Sequence, residues 1–322
     1  MRVPSLLLTA LAVTLSTVPM HAQGSPFDQI MAADGLRYQG EPTAAVAILE
    51  PMVQTRASSM TETDLGLAWN VLGSSYEDLH MPDKAKSCYD TAIEKLRPIP
   101  TAQAKYAAAI ANLAALEGSE GQMDSARVLY EKSNRIYEEI GDSGGVTVTS
   151  TDLATLMFAK KDFKAARRYL DQAFAASEHT SGLRDDDIAG LHSVKSALAL
   201  HEQRNAEALS DSQQAIDRWT HAHGPGYYML AVGYDLRAQA AANTGDYGHA
   251  LTDAQHALAI IEAANGKDTA AYLKAEIVYA QVLKSSGAME QASRLRKEAS
   301  SALANLESRQ CRGCTIDANG YR

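Results

Sequence analysis

Residues 69–98 read WNVLGSSYEDLHMPDKAKSCYDTAIEKLRP. Trp69, Leu72, Gly73 and Tyr76 fall on one face of a 3.6-residue helix, and Ala85, Tyr89 and Ala92 fall on one face of another. Between them His80-Met81-Pro82-Asp83 breaks the pattern, and Pro82 suits the first turn of the second helix, where a missing N–H costs nothing. The stretch predicts a helical hairpin. Gly73 and Ala85 are small because antiparallel helices on a short turn cross closely, and larger side chains would hold the backbones apart. Tyr89 fills the remaining gap, and Ala92 admits the first helix of the next hairpin.

The hairpin recurs along the chain. Small-residue pairs seven apart begin at Ala45, Ala85, Ala126, Ala166, Ala208, Ala250 and Ala292, in steps of 40, 41, 40, 42, 42 and 42 residues. Their partners are Met52, Ala92, Ser133, Ala173, Ala215, Ala257 and Ala299. Twelve residues before each alanine stands the small residue of the first helix, at Ala33, Gly73, Ala114, Ala154, Ser196, Ala238 and Ala280. An alanine-rich bundle with chance recurrences has no reason to hold that register, and a fixed period of this size signals a solenoid. Gly40, Gly121, Gly245 and Gly287 mark the turns. Glu117 and Met157 depart from Tyr in the first helix, and Ser212, Ala254 and Arg296 replace the bulky residue of the second.

The Trp, Leu-Gly, Tyr, Ala, Tyr, Ala and Pro landmarks of residues 69–98 resemble the tetratricopeptide repeat almost position for position. The resemblance covers residues 27–308 and implies an all-α fold, a right-handed superhelical α-solenoid of about seven hairpins. The units run over about 27–59, 62–98, 103–141, 146–180, 185–223, 227–265 and 269–308. A period above about 34 residues calls for longer helices or longer links. Tyr137 to Asp142 and Ala264 to Thr269 read as the links, similar to the inter-repeat joints of kinesin light chains.

Composition agrees with a solenoid. A chain of 322 residues that is 46% hydrophobic but only 6% aromatic lacks the large side chains of one compact core, whereas stacked hairpins bury small faces against their neighbours. The formal charge of −9, from 39 acids and 30 bases, argues against a nucleic-acid partner, which requires a basic face. Arg2, the apolar run from Leu6 to Val18 and the small residue Ala22 look like a secretory signal peptide over residues 1–22, with an uncleaved anchor as the alternative. No later segment is apolar enough to span a membrane, so the expectation is an exported chain, periplasmic or secreted.

Three cysteines remain. Cys88 sits on a second helix and reads as a small apolar residue. Cys311-Arg312-Gly313-Cys314 stands in a tail over 309–322 expected to be flexible, where an exported chain could close a disulfide. A redox or thiol-coupling role is the alternative, although no thioredoxin context surrounds the pair, and no second Cys or His pair follows to complete a zinc site.

Three other motifs invite misreading. Gly141-Asp142-Ser143-Gly144-Gly145 matches the nucleophile segment of chymotrypsin-like proteases, but those need β-barrels, a His and an Asp, and here the glycines follow an amphipathic helix and terminate it. Serine hydrolysis at Ser143 is thus the least supported function. His221 and His223 flank Ala222 without a carboxylate nearby in sequence, so helix termination at Gly224-Pro225 is favoured over a metal site. Asp185-Asp186-Asp187 opens a helix and suits its dipole. No catalytic residue, metal or cofactor is expected.

In a tetratricopeptide solenoid the first helices line a concave groove. Counting from the small first-helix residue, the offsets three before, one after and four or five after give Asn70, Ser74, Glu77 and Asp78 in the second unit and Thr151, Thr155, Phe158 and Ala159 in the fourth. In the sixth they give Asp235, Gln239, Ala242 and Asn243, and in the seventh Ile277, Gln281, Lys284 and Ser285. This face is polar and short of the cations that clamp a peptide carboxylate. It suits an extended peptide or an amphipathic helix, anchored at Phe158 and Ile277. The expected function is a non-enzymatic exported scaffold or adaptor for a protein or peptide. A thiol-responsive adaptor acting through Cys311 and Cys314 is the rival.

Overall fold

The computed structural model describes residues 24–55 and 57–312. These residues are helical throughout, without strands, and the chain divides into two compact units, one ending at Ala102 and the other beginning at Gln103. The region assigned to a signal peptide lies outside the described residues.

The first unit holds two hairpins, α1 (Pro26–Tyr38) with α2 (Pro42–Thr55) and α3 (Glu62–Asp78) with α4 (Pro82–Leu96). Ser25 starts α1 with a capping box: its hydroxyl accepts from the Asp28 N–H at 3.2 Å, and its own N–H donates to the Asp28 carboxylate at 3.0 Å. Ala33, Ala45, Ala85 and Ala92 are fully buried beside Leu49, Leu72 and Tyr89. A Cβ built on Gly73 would lie 2.6 Å from the Tyr89 ring, so the glycine is what lets the tyrosine lie flat on α3. Cys88 is buried and free, and burial pushes its thiol up to about 12.

The second unit holds five hairpins: α5 (Gln103–Ser119) with α6 (Met123–Ile140), α7 (Ser143–Ala159) with α8 (Phe163–Ser177), α9 (Asp185–His201) with α10 (Asn205–His223), α11 (Leu230–Asn243) with α12 (Tyr247–Asn265), and α13 (Ala270–Ser285) with α14 (Met289–Arg312). Each first helix packs on the next first helix, α5 on α7, α7 on α9, α9 on α11 and α11 on α13. Each second helix through α12 packs on its own partner and on the following first helix. The first helices therefore form one continuous layer, faced by a layer of second helices. At the crossings Ala114, Ala126, Ala154, Ala166, Ala208, Ala238 and Ala250 are fully buried. Ser196 takes the small first-helix position of α9 at no polar cost, because its hydroxyl donates to the Ala208 carbonyl at 2.9 Å across the crossing.

The links differ from the sequence expectation. Tyr137 to Ile140 complete the last turn of α6, where Tyr137 is buried against Ala107 and Val146, and the joint shrinks to Gly141 and Asp142. Gly141 ends α6 in the left-handed conformation at φ 72°, and Asp142 caps α7 by accepting from the Gly145 N–H at 2.9 Å. The long period thus resides chiefly in helix length: α6, α10 and α12 have 18, 19 and 19 residues.

Every hairpin turn bends at one register position, five residues before the buried alanine of the second helix. The residues there are Gly40, His80, Gly121, Lys161, Gln203, Gly245 and Gly287, all with positive φ. The backbone closes in Schellman fashion; in α3, the Met81 N–H reaches the Tyr76 carbonyl at 2.9 Å and the His80 N–H reaches the Glu77 carbonyl at 2.9 Å. Three units place a side chain where glycine pays no steric penalty. Replacing His80, Lys161 or Gln203 with Gly should therefore stabilise its unit by about 0.5–1 kcal/mol in urea denaturation, while Gly121→Ala should lose a similar amount.

Candidate functional site

The layer of first helices in the second unit carries a depression of about 350 Å³ that runs across α7, α9, α11 and α13. Phe158, Leu200, His201 and Leu236 supply its apolar and aromatic lining, and Gln239, Asn243, Gln281 and Ser285 its polar lining. The aromatic part is held from behind: His201 stacks on Phe163 with ring centroids 3.5 Å apart, and Phe158 meets Phe163 edge-on at 5.4 Å. The side-chain amide of Asn243 donates to Asn205 at 3.0 Å, and that of Gln239 donates to the Asp235 carbonyl at 3.2 Å.

Six residues expected at the groove meet in this depression: Phe158, Gln239, Ala242, Asn243, Gln281 and Ser285. Asp235 lies one turn before Gln239 on the same face of α11. Thr151 is buried and Thr155 is exposed; their hydroxyls donate to the carbonyls of Thr147 and Thr151 at 2.8 and 2.9 Å. Ile277 is half-buried and Lys284 exposed, both outside the lining. Leu200, His201 and Ala197 were absent from the expected set, although the same offsets counted from Ser196 reach them.

In the first unit the expected residues are occupied by the fold itself. Asn70 is only 8% exposed. The Tyr89 hydroxyl lies 2.7 Å from the Glu77 carboxylate and 3.2 Å from the Ser74 hydroxyl, and Asp78 pairs with Arg37 at 3.2 Å.

Charge on the first helices is unevenly settled. The Asp211 carboxylate of α10, 3% exposed, receives Lys195 at 3.0 Å and His192 Nδ1 at 2.7 Å from α9. Burial pushes this carboxyl up, but those two partners outweigh it and hold it below the usual range. Arg237 of α11 forks onto both oxygens of Asp253 in α12 at 2.7 Å. Asp235 has no such partner: its Oδ1 is buried without a hydrogen bond, and burial alone raises the carboxyl to about 7. Asp152 of α7 is likewise raised to about 7, by burial first and by the nearby Asp187 carboxylate second.

The histidines at the end of α10 do meet carboxylates, contrary to the sequence reading. His221 Nδ1 lies 2.6 Å from Asp185, His223 Nε2 lies 2.8 Å from Asp186, and Arg218 reaches Asp185 at 2.8 Å. The antiparallel return of the hairpin brings residues 36 and 37 apart in sequence to one end of α9 and α10. Hydrogen bonds from Arg218 and His221 hold the Asp185 carboxyl below its usual range. Among the described residues no three His, Cys, Asp or Glu side chains are grouped to hold a metal ion.

Ser143 opens α7 under the Asp142 cap, and a Cβ on neighbouring Gly145 would come within 2.1 Å of the Tyr137 ring, so the glycine of this motif serves packing. Cys314 lies outside the described residues, and α14 reaches Arg312.

The two raised carboxyls set a pH dependence. An acid whose folded pKa exceeds its unfolded value costs nothing below about pH 4, costs progressively more between about pH 4 and 7, and carries its full cost above. Asp235→Asn and Asp152→Asn should each therefore raise stability at pH 8 by about 1–3 kcal/mol, with the gain vanishing near pH 4, in urea titrations at both values.

Comparison with known proteins places these hairpins. Tetratricopeptide repeat sequence models match residues 106–179 and 233–270. No curated protein matches the sequence at a significant level. Among solved structures, the Rap conjugation gene regulator of plasmid pLS20, in complex with the Phr* peptide, superposes with a TM-score of 0.65 at 13% identity, covering 94% of this chain and 80% of that one. The apo form of RapI gives 0.63 at 11% identity, covering 88% and 99%. BtubC (BKLC) from P. vanneervenii gives 0.51 at 19% identity, covering 76% and 93%. At such identities the likeness is one of fold; the sequence matches identify residues 106–179 and 233–270 as tetratricopeptide repeats within an all-α array of helical hairpins.

Proposed function

We propose that this chain is a non-enzymatic scaffold or adaptor that binds a peptide, or a peptide-like segment of a protein, across α7, α9, α11 and α13. The observation that carries the reading is the depression itself, where an apolar and aromatic lining adjoins a row of side-chain amides. An extended peptide needs that pairing, since amides satisfy its backbone while apolar pockets take its side chains. The pLS20 regulator, which shares the fold, was solved with a peptide, and this supports the same use of the scaffold here.

Ala197 lies half-buried in the lining. Ala197→Trp should fill the depression and abolish binding of peptides selected on the full chain from a random phage-displayed library, with helical circular dichroism unchanged. Peptides that bind wild type and Ala197→Trp equally would place the site elsewhere.

Export is part of the same proposal, supported by Arg2, the apolar run from Leu6 to Val18 and Ala22. The mature chain should begin at Gln23 when the full sequence is expressed in a bacterial host and the periplasmic fraction is sequenced from its N-terminus. A chain that stays in the cytosol with Arg2 intact would refute it.

A further inference from the structure

The reading above leaves the chemistry of the peptide open, and the charges of the inner layer narrow it. Within α7, α9 and α11 the Lys and Arg residues are Lys195 and Arg237 alone, and the charged residues of α13, Lys274, Glu276 and Lys284, stand outside the lining of the depression. Both are turned to the second helices, Lys195 to Asp211 and Arg237 to Asp253. The acids of the same three helices are Asp152, Asp185, Asp186, Asp187 and Asp235. Asp185 is matched by Arg218 and His221, Asp186 by His223 and Asp187 by Arg184. What remains is Asp152 and Asp235, and neither receives a cation from the described residues.

Placement puts both acids on the groove layer. Asp235 sits one helical turn before Gln239, which lines the depression, and beside Leu236, which also lines it. Asp152 stands two before Ala154, the register that Leu236 holds before Ala238. A carboxylate with a buried oxygen and no donor is costly to a fold, and selection for stability would replace it with an amide. A ligand that brings the donors removes that cost on binding.

Resting on the groove reading, we infer that the occupant is a basic peptide, which sets a Lys or Arg against Asp235 and lays an adjoining apolar side chain among Phe158, Leu200 and Leu236. An ammonium or guanidinium group brings the Asp235 carboxylate, whose buried Oδ1 finds no donor in the fold, the opposite charge and N–H donors at its outer edge. A divalent cation does not fit, because such ions need several oxygen ligands and no group of acids gathers here among the described residues. An acidic peptide would face two uncompensated carboxylates.

The test uses the full chain and random peptides displayed on phage, selected on wild type and re-measured as synthetic peptides on Asp235→Asn and Ala197→Trp. Peptides blocked by Ala197→Trp should carry Lys or Arg next to an apolar residue. Asp235→Asn should weaken them about tenfold or more, as should replacing their basic residue with Gln, and the two losses should not add. The variant is expected to be at least as stable as wild type, so lost binding does not report unfolding. Groove-binding peptides without a basic residue, or with unchanged affinity for Asp235→Asn, overturn this inference and leave the groove reading standing. If no selected peptide is blocked by Ala197→Trp, both fall.

Discussion

The close crossing of two helices on a short turn is the constraint from which the rest of the architecture descends. Two backbones can approach only where side chains are nearly absent, and the buried alanines at 126, 166, 208 and 250, with Ser196 and Gly73, meet that demand in successive hairpins. Once the crossing is set, the larger residues have fixed destinations. Tyr89 lies over Gly73, Tyr137 over Gly145 and Ile216 over Gly233, each at a distance that a single added carbon would abolish. The remaining first-helix surface is then free to form the layer that carries the depression.

Much of this was legible in the sequence because it depends on local spacing. Alanine periodicity gave the hairpins and their register, and the register alone led to Phe158, Gln239, Asn243 and Gln281. The unread parts depend on distance in the chain. Nothing local says that His221 and His223 meet Asp185 and Asp186, since their meeting requires a completed hairpin to return on itself. The links were misjudged because Gly141 marks where α6 stops but not how far its last turn extends. Likewise His80, Lys161 and Gln203 do not advertise a left-handed bend as glycine does; only their equivalence to Gly121 and Gly245 reveals it. Asn70 shows the limit of the offset rule, which assigns a direction but not a depth.

The polar groups divide along functional lines. Where a charge is buried between the two layers, the structure matches it, Asp211 with Lys195 and His192 and Asp253 with both arms of Arg237, and thereby fixes how one helix of a hairpin sits against the other. Where a charge faces the inner layer, at Asp152 and Asp235, the matching stops. Neutral substitution would be the simpler route to stability at either position, which makes the retained carboxylates the feature of this surface least explained by folding alone.

The stacking order of the second unit also governs how it yields. Because each first helix packs on the first helices beside it and each second helix on its own and adjoining hairpins, cohesion is passed from neighbour to neighbour along the stack. Under heat or tension such an array peels from its termini instead of melting as one body, and α14, packed on α13 at the end of the array, is where peeling begins. The depression spans four consecutive inner helices, so a molecule seated there acts as a splint across three hairpin junctions, and occupancy alters the elasticity of the whole stretch between Ser143 and Ser285.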